Sequence, residues 1–483
     1  MRDLKTGNRS SCLLVLACVL GSSVSVVAEP PTPRPNIIFF LTDDQRHDTL
    51  GCAGHPMVKT PAIDRLAAEG VLFRNSFCQV PICAANRSSL LTGLTQRTHG
   101  FNFGTPPVPV RYAASSYPAL LRKAGYRTGF AGKFGMSFAR GAKKLFDSQK
   151  LIGRNPYLKK QSDGSLRHET LLCGDEAIRF IESTPAGMPF CMSVSFNASH
   201  AEDSDRRPGF HFQWARPTNG LYEKLTPAPP RLAGRRFLEA APEFLRTKGG
   251  LSVARFKWRW DTPEKYRVNM RAYFRMLSGI DMTIARALDV LKKKGLDRNT
   301  VVIYSADNGY MMGDRSMAGK WNHYEQSLRV PLVIFDPRVP AGQQGRKLGQ
   351  LVSSIDIAPT ILGYAGVKAP GIYQGRSLVR LVSGHEVTDW RKDVYCEHHF
   401  RVYPNWQAVR GHRYKYAVYY ENGPYECLYD LQKDPQELVN LASGAGHRQV
   451  LERLRGRLKD YHERFPQAEG KDRYSTRAKR KRS

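Results

Sequence analysis

The chain has 483 residues, 41 % of them hydrophobic, with 22 each of Tyr and Phe. That composition argues for a globular protein with a sizeable core and against a disordered chain. Its formal net charge is +31. A basic field concentrates polyanions, so an anionic glycan or anionic envelope surface is the expected partner; solubility is the plainer use of the same charge.

At the N-terminus, Arg2, Lys5 and Arg9 precede the apolar run CLLVLACVL at 12–20, and Val26-Val27-Ala28 places small residues before Glu29. This pattern predicts a signal peptide over 1–28 and export to a periplasm or the medium. Nucleic acid is then a poor partner. A lipoprotein box ending at Cys18 is the weaker alternative, because the apolar run before it is very short. No stretch is long enough to predict a membrane span. Of nine cysteines, Cys12 and Cys18 fall in the signal. The seven that remain leave at least one thiol outside any internal disulfide.

After the linker PPTPRP, NIIFFL at 36–41 is a continuous apolar run of strand length, as expected of a buried parallel strand. TPAIDRLAAEG predicts a helix with Thr60 as N-cap and Pro61 in its first turn. VLFRNSFC reads as a strand and CAANRSSLLTG, 83–93, as a helix stopped by Gly93. SSYPALLRKAG is a helix, YRTGFAG a strand, ETLLCGDEAIRFIES a helix and PFCMSVSFN a strand. The stretch 204–265, rich in Pro, Arg and aromatics, breaks the pattern and reads as an insertion beside the active site. YFRMLSGIDMTIARALDVLKKKG then gives a long helix, TVVIYSA and VPLVIFDP strands, and SIDIAPTILGYAG a helix. Alternating strands and helices predict a doubly wound, mostly parallel α/β sheet over 35–385. From 386 to 470, four short strands (DVYCE, WQAVR, YKYAVYY, YECLYDL) and one amphipathic helix predict a smaller α+β part with an antiparallel sheet. The tail at 471–483 is basic.

Ligands in parallel α/β sheets sit beyond the carboxyl ends of the strands. NIIFFL is followed by Thr42, Asp43 and Asp44, and TVVIYSA by Asp307 and Asn308. GFAG is followed by Lys133, and SVSFNAS by His200. Each alone reads equally as a turn residue; together they bring acids, an amide, an amine and an imidazole to one rim. Three carboxylates and an amide oxygen are ligands for a hard cation, Ca²⁺ ahead of Mg²⁺. Cys83, at the start of its helix with Arg87 one turn on, reads by itself as a buried structural cysteine, half a disulfide, or a nucleophile.

The motifs TDD (42–44), CAANRSSLLTG (83–93), GYRTGFAGK (125–133), FNASH (196–200), SADNGY (305–310) and GKWNHYEQSLRVPLV (319–333), in this order, resemble those of the type I sulfatases of the alkaline phosphatase-like superfamily. The resemblance implies that Cys83 is oxidised to Cα-formylglycine by a formylglycine-generating or equivalent maturation enzyme. It also implies a cation held by Asp43, Asp44, Asp307, Asn308 and the modified Cys83. The implied nucleophile is the aldehyde hydrate, deprotonated with help from Asp307. Lys320 and Lys133 would neutralise the sulfuryl oxygens, His200, with its near-neutral pKa, would protonate the leaving alcohol, and Arg87 would hold the diol and the helix end. The implied substrate is a sulfated mono-, oligo- or polysaccharide.

Three positions depart from the family pattern. Ala85 stands where Cys-x-Pro-x-Arg has proline. Gly135 stands where Lys-x-His has histidine; His211 or His323 is a candidate replacement, though each reads first as a surface or core residue. Arg315 stands where a related segment carries histidine, and is read as a contact for substrate charge. A phosphomonoester or phosphonate hydrolase on the same fold, and a glycan-binding protein that has lost catalysis, are the alternatives.

Overall fold

The structure, a computed structural model, describes residues 34–468 apart from 104, 105, 143, 206, 208, 248, 249, 401, 402 and 422. The expected signal peptide, Cys18 and the basic tail lie outside the described residues.

NIIFFLT forms the central strand β1 (Asn36–Thr42), buried along its whole length. Its partners are β2 (Val71–Phe77), β3 (Arg127–Gly132), β4 (Ser148–Leu151), β5 (Phe190–Ser195), β6 (Thr300–Ala306), β7 (Leu332–Phe335) and β8 (Arg346–Ser353). The sheet order is β8-β2-β7-β6-β1-β5-β3-β4. All pairings are parallel except the two made by β7.

Strand alternation divides the core in two. Ile38 and Phe40 of β1, with Val302 and Tyr304 of β6, face one cluster, shared with helices α1 (Pro61–Glu69), α4 (Glu169–Glu182) and α6 (Pro263–Lys293). Ile37, Phe39 and Leu41, with Val301 and Ile303, face the other, with α2 (Cys83–Thr92), α3 (Tyr117–Lys123) and α7 (Ile357–Tyr364). Between α4 and α6 lies α5 (Gly250–Arg259).

The second sheet is antiparallel: β9 (Asp393–His398), β10 (Trp406–Gly411), β11 (Tyr414–Tyr419) and β12 (Tyr425–Asp430), in that order. One face packs on α8 (Arg448–Arg464) through Val409, Tyr416 and Leu454. The other shares a core with the main sheet, where Trp406 and Tyr419 meet Phe77, Ile82 and Leu328.

Several expectations are corrected. Thr60 does not cap α1 with its side chain; the first-turn amides of Ala62 and Ile63 donate to Asp281 of α6 instead. Helix α6 starts ten residues before Tyr273, where Thr262 accepts from the Lys265 amide and Pro263 occupies the first turn. Within the stretch read as an irregular insertion, ARFKWRW is largely the regular helix α5, and Trp260 joins the core. The edge strands β4 and β8 carry no continuous apolar run and were not expected. All seven cysteines among the described residues are free thiols, six of them buried. No helix among the described residues is long and apolar enough to cross a membrane.

Candidate active site

The register aligns four strand ends. Leu41 of β1 pairs with Ser195 of β5 and with Ser305 of β6, Thr42 pairs with Ala306, and Gly132 of β3 pairs with Ser195. The next residues, Asp43, Lys133 and Asp307, therefore emerge together. Asp44 follows with φ 55°, a left-handed turn that aspartate tolerates better than most residues. α2 brings Cys83 to the same place, and no side chain caps its start. Ligand atoms of Asp43, Cys83 and Asp307 all lie within 4.8 Å of one another.

Each charge is met in a specific way. Arg87 donates from Nε to Asp307 Oδ2 (2.7 Å) and from a terminal nitrogen to the Lys133 carbonyl (2.8 Å), and it also bonds Ser195, so one guanidinium ties three strand ends. The Lys133 ammonium bonds Asp43 Oδ2, and the Lys320 ammonium bonds Asp44 Oδ1. Asn308 donates to Asp44 Oδ1 at 2.7 Å, and the Asp44 amide to Asp307 Oδ1 at 3.3 Å. Asn86 docks α2 by donating to the Asp307 carbonyl. Among the described residues, three buried oxygens of this cluster have no hydrogen-bond partner: Asp43 Oδ1, Asp44 Oδ2 and Asn308 Oδ1. Buried acid oxygens are costly unless paired or bound to metal. This is the donor set of a hard-cation site, and the residues present fit such an ion.

The electrostatics follow from burial and these pairings. Burial would raise Asp43, but Lys133, Lys320 and Arg87 prevail and hold it at about 2. Burial and the Asp43 charge push Asp307 up to about 6. Burial raises the Cys83 thiol, despite Lys133 and Lys320, which makes an unmodified Cys83 a poor nucleophile. One expectation fails here. Burial, then Lys320, Arg154 and Lys133, push His200 well below the ordinary imidazole value, so its titration is not near neutral. His200 Nδ1 lies 2.6 Å from the Ala201 carbonyl, and Nε2 3.5 Å from Asp44 Oδ2.

Above this cluster is a cleft of about 800 Å³, lined by Cys83, Lys133, His200 and Lys320. Phe101, Phe103, Phe134 and Phe400 supply an apolar side. Arg154 and Arg255 also line it, and sequence reasoning missed both. Arg154 follows the unrecognised edge strand β4, so the strand-end rule would have found it once β4 was known. Arg255 comes from α5; it bonds Asp203 (2.7 Å) and lies over the Trp321 ring, 4.9 Å away. Trp321 holds φ 85°, sterically costly for a bulky residue. The second sheet pins it: the Trp406 indole donates to its carbonyl at 2.7 Å.

Ala85 is in the first turn of α2, where the backbone N–H has no intrahelical acceptor, so alanine for proline costs no helix bond. Gly135 has φ 71°, and a Cβ there would lie 3.2 Å from Arg87 Cδ, so the backbone disfavours histidine. Neither His211 nor His323 lines the cleft; His323 is packed between the hydroxyls of Tyr419 and Tyr429. Arg315 is corrected: it is buried, donates to the Gln436 and Glu437 carbonyls and stacks on Tyr324. It does not reach the cleft.

A mostly parallel α/β sheet with this acid and lysine rim, joined to an antiparallel second sheet, is the architecture of the alkaline phosphatase-like superfamily. Residues 35–367 match the family model described as "Sulfatase", and residues 313–464 match "N-sulphoglucosamine sulphohydrolase, C-terminal". The chain belongs to the sulfatase family, a family of sulfuric ester hydrolases. It is 26 % identical over 534 residues to an N-acetylglucosamine-6-O-sulfatase of Bacteroides thetaiotaomicron, with 96 % of this chain and 93 % of that protein covered. It is 28 % identical over 466 residues to an arylsulfatase of Clostridium perfringens, covering 87 % and 93 %. Among solved structures, the phosphonate monoester hydrolase of Agrobacterium radiobacter superposes with a TM-score of 0.77 at 26 % identity, covering 90 % of this chain and 96 % of that one.

Proposed function

We propose that this protein is an exported sulfatase that hydrolyses sulfate esters on a carbohydrate, using Cys83 as Cα-formylglycine and a divalent cation, Ca²⁺ ahead of Mg²⁺. The observation that carries the reading is the set of unpartnered oxygens on Asp43, Asp44 and Asn308, with Asp43 and Asp307 close beside Cys83. These residues, with Asp307, would hold the cation. When bound, it supplies charge to polarise the sulfuryl group and to acidify the formylglycine hydrate.

The chain's own groups do the rest. Arg87 fixes Asp307 through Oδ2; Oδ1 accepts from the Asp44 amide and keeps a second lone pair for the proton of the attacking hydroxyl. Lys133 and Lys320 neutralise charge that builds on the sulfuryl oxygens, commonly the largest catalytic contribution. His200, in its imidazolium form with Nδ1–H held by the Ala201 carbonyl, donates to the leaving oxygen through Nε2. That assignment rests on its position over the cleft, and a bound sulfate ester adds negative charge beside it. Arg154 and Arg255 read further anionic groups on the sugar. The N-acetylglucosamine-6-O-sulfatase relative supports a sulfated carbohydrate as substrate.

A second reading, phosphonate or phosphomonoester hydrolysis, is favoured by the Agrobacterium neighbour. Turnover of an aryl sulfate, an aryl phosphate and a phosphonate monoester, before and after chelation, separates the two. We expect the sulfate to be the best substrate, with activity lost on chelation and restored by Ca²⁺ or Mg²⁺. Faster turnover of the phosphonate would replace the proposal.

A further inference from the structure

A second cleft, of about 570 Å³, lies against Arg46–Asp48, just beyond Asp43 and Asp44 in the chain, and shares no lining residue with the first. Its acids are used up internally. Asp48 and Asp314 bond Arg46 at 2.5 and 2.7 Å. Glu325 bonds Arg410 and Lys415, both at 3.0 Å. Four cations remain on its walls: Arg74, Arg231, Arg329 and Lys347. Among the described residues, none has a carboxylate within 4.0 Å.

Arg74, Arg231 and Lys347 are exposed at the mouth of the cleft, and Arg329 is half-buried behind them. Arg74 is on β2 and Lys347 on β8; Lys347 pairs with Leu72, so both side chains point to the same side of the sheet. Arg329 is half-buried and donates from both Nε (2.8 Å) and Nη2 to the Arg74 carbonyl. Burial, with Arg410 and Arg74 close by, draws its guanidinium below the usual value despite the charges of Glu325 and Asp48. A half-buried guanidinium with no carboxylate within 4.0 Å is stabilised by an incoming oxyanion, which its Nη1 side, away from the Arg74 carbonyl, is left to meet.

We propose that this cleft is a second anion-binding site, taking sulfate groups of a polysulfated glycan chain away from the point of hydrolysis. The anion chemistry stands on the unpartnered cations; the choice of a sulfated glycan rests on the sulfatase reading. Such a site would hold a polymer while the first cleft works on one ester.

The test is calorimetric binding of a heparin hexasaccharide to the full chain, beside steady-state kinetics on the same oligosaccharide and on an aryl sulfate. The variants are Arg329→Gln and the double exchange Arg74→Gln/Lys347→Gln, whose two side chains are exposed. Losing charge-assisted bonds predicts roughly tenfold weaker binding and higher KM for the oligosaccharide, with kcat and aryl sulfate turnover unchanged. Wild-type affinity in the double variant, at unaltered melting temperature, would overturn the proposal. So would equal weakening with a desulfated hexasaccharide. Tighter binding of polyphosphate than of heparin, lost in the same variants, would reassign the ligand and overturn it too. Because binding is read without turnover, a protein that holds the hexasaccharide here yet cleaves phosphonates would fail only the functional reading.

Discussion

At the rim of β1 and β6, Arg87, Lys133 and Lys320 are matched to carboxylates, and three acid or amide oxygens are left over. In the cleft beside Arg46, the carboxylates are matched and four cations are left over. Both regions mix acids and bases, and a residue count does not tell them apart. The groups that remain after internal pairing do: the first calls for a cation, the second for an anion. The overall charge of +31 predicts neither location.

The largest effect that could break this contrast is at Asp44. Asp44→Ala removes an unpartnered oxygen and the partner of Lys320 together. Turnover should fall by more than about 10³-fold, beyond the cost of a single electrostatic donor, and calorimetric binding of Ca²⁺ should vanish. Retained turnover with no bound cation would remove the metal from the account. Lys320→Ala should keep cation binding and lose on the order of 10²–10³-fold in kcat. A rise in KM alone would make Lys320 a binding residue only.

Glu325 tests the matched side of the second cleft. Burial would raise its pKa, but Arg410 and Lys415 prevail and hold it well below its usual 4.5. A depressed folded pKa means a contribution to stability that is present above 4.5 and lost as pH falls below it. Glu325→Gln should cost about 3–5 kcal/mol at neutral pH, as for breaking a buried pair. Denaturant unfolding should show wild-type stability falling below pH 4.5, with a flatter curve for the variant. Parallel curves would mean that Glu325 is not the group responsible. Smaller still, Arg255→Gln should cost roughly tenfold in kcat/KM on a disulfated sugar, by loss of a charge-assisted bond, and less on an aryl sulfate. Equal losses would make Arg255 a scaffold for Trp321 rather than a reader of charge. The mildest prediction concerns salt: raising it should increase KM for a polysulfated chain more than for an aryl sulfate.

What the sequence discloses follows from where the apolar signal is strong. β1 and β6 are buried on both faces, so their runs are continuous and their ends are legible. That is why Asp43, Asp44, Asp307 and Asn308 could be placed on one rim. Helix α2 was readable from Gly93, which ends it at φ 67°. The edge strands β4 and β8 lie half in solvent and carry Lys, Gln and Gly, so period and propensity say little, and Arg154 was lost with β4. Arg315 was misread for a different reason. Sequence shows a guanidinium but not which way it points, and this one turns inward to backbone carbonyls. Asn86 and Asn197 head glycosylation sequons, yet both are buried with their amides bonded to the Asp307 and Ile152 carbonyls.

The most direct test is peptide mass spectrometry across residue 83, on enzyme from its own host that is desulfating at full rate. The account predicts an aldehyde there in the active fraction, reactive toward carbonyl reagents and inert to thiol alkylation. A fully alkylatable cysteine at 83 in protein of undiminished activity would contradict it.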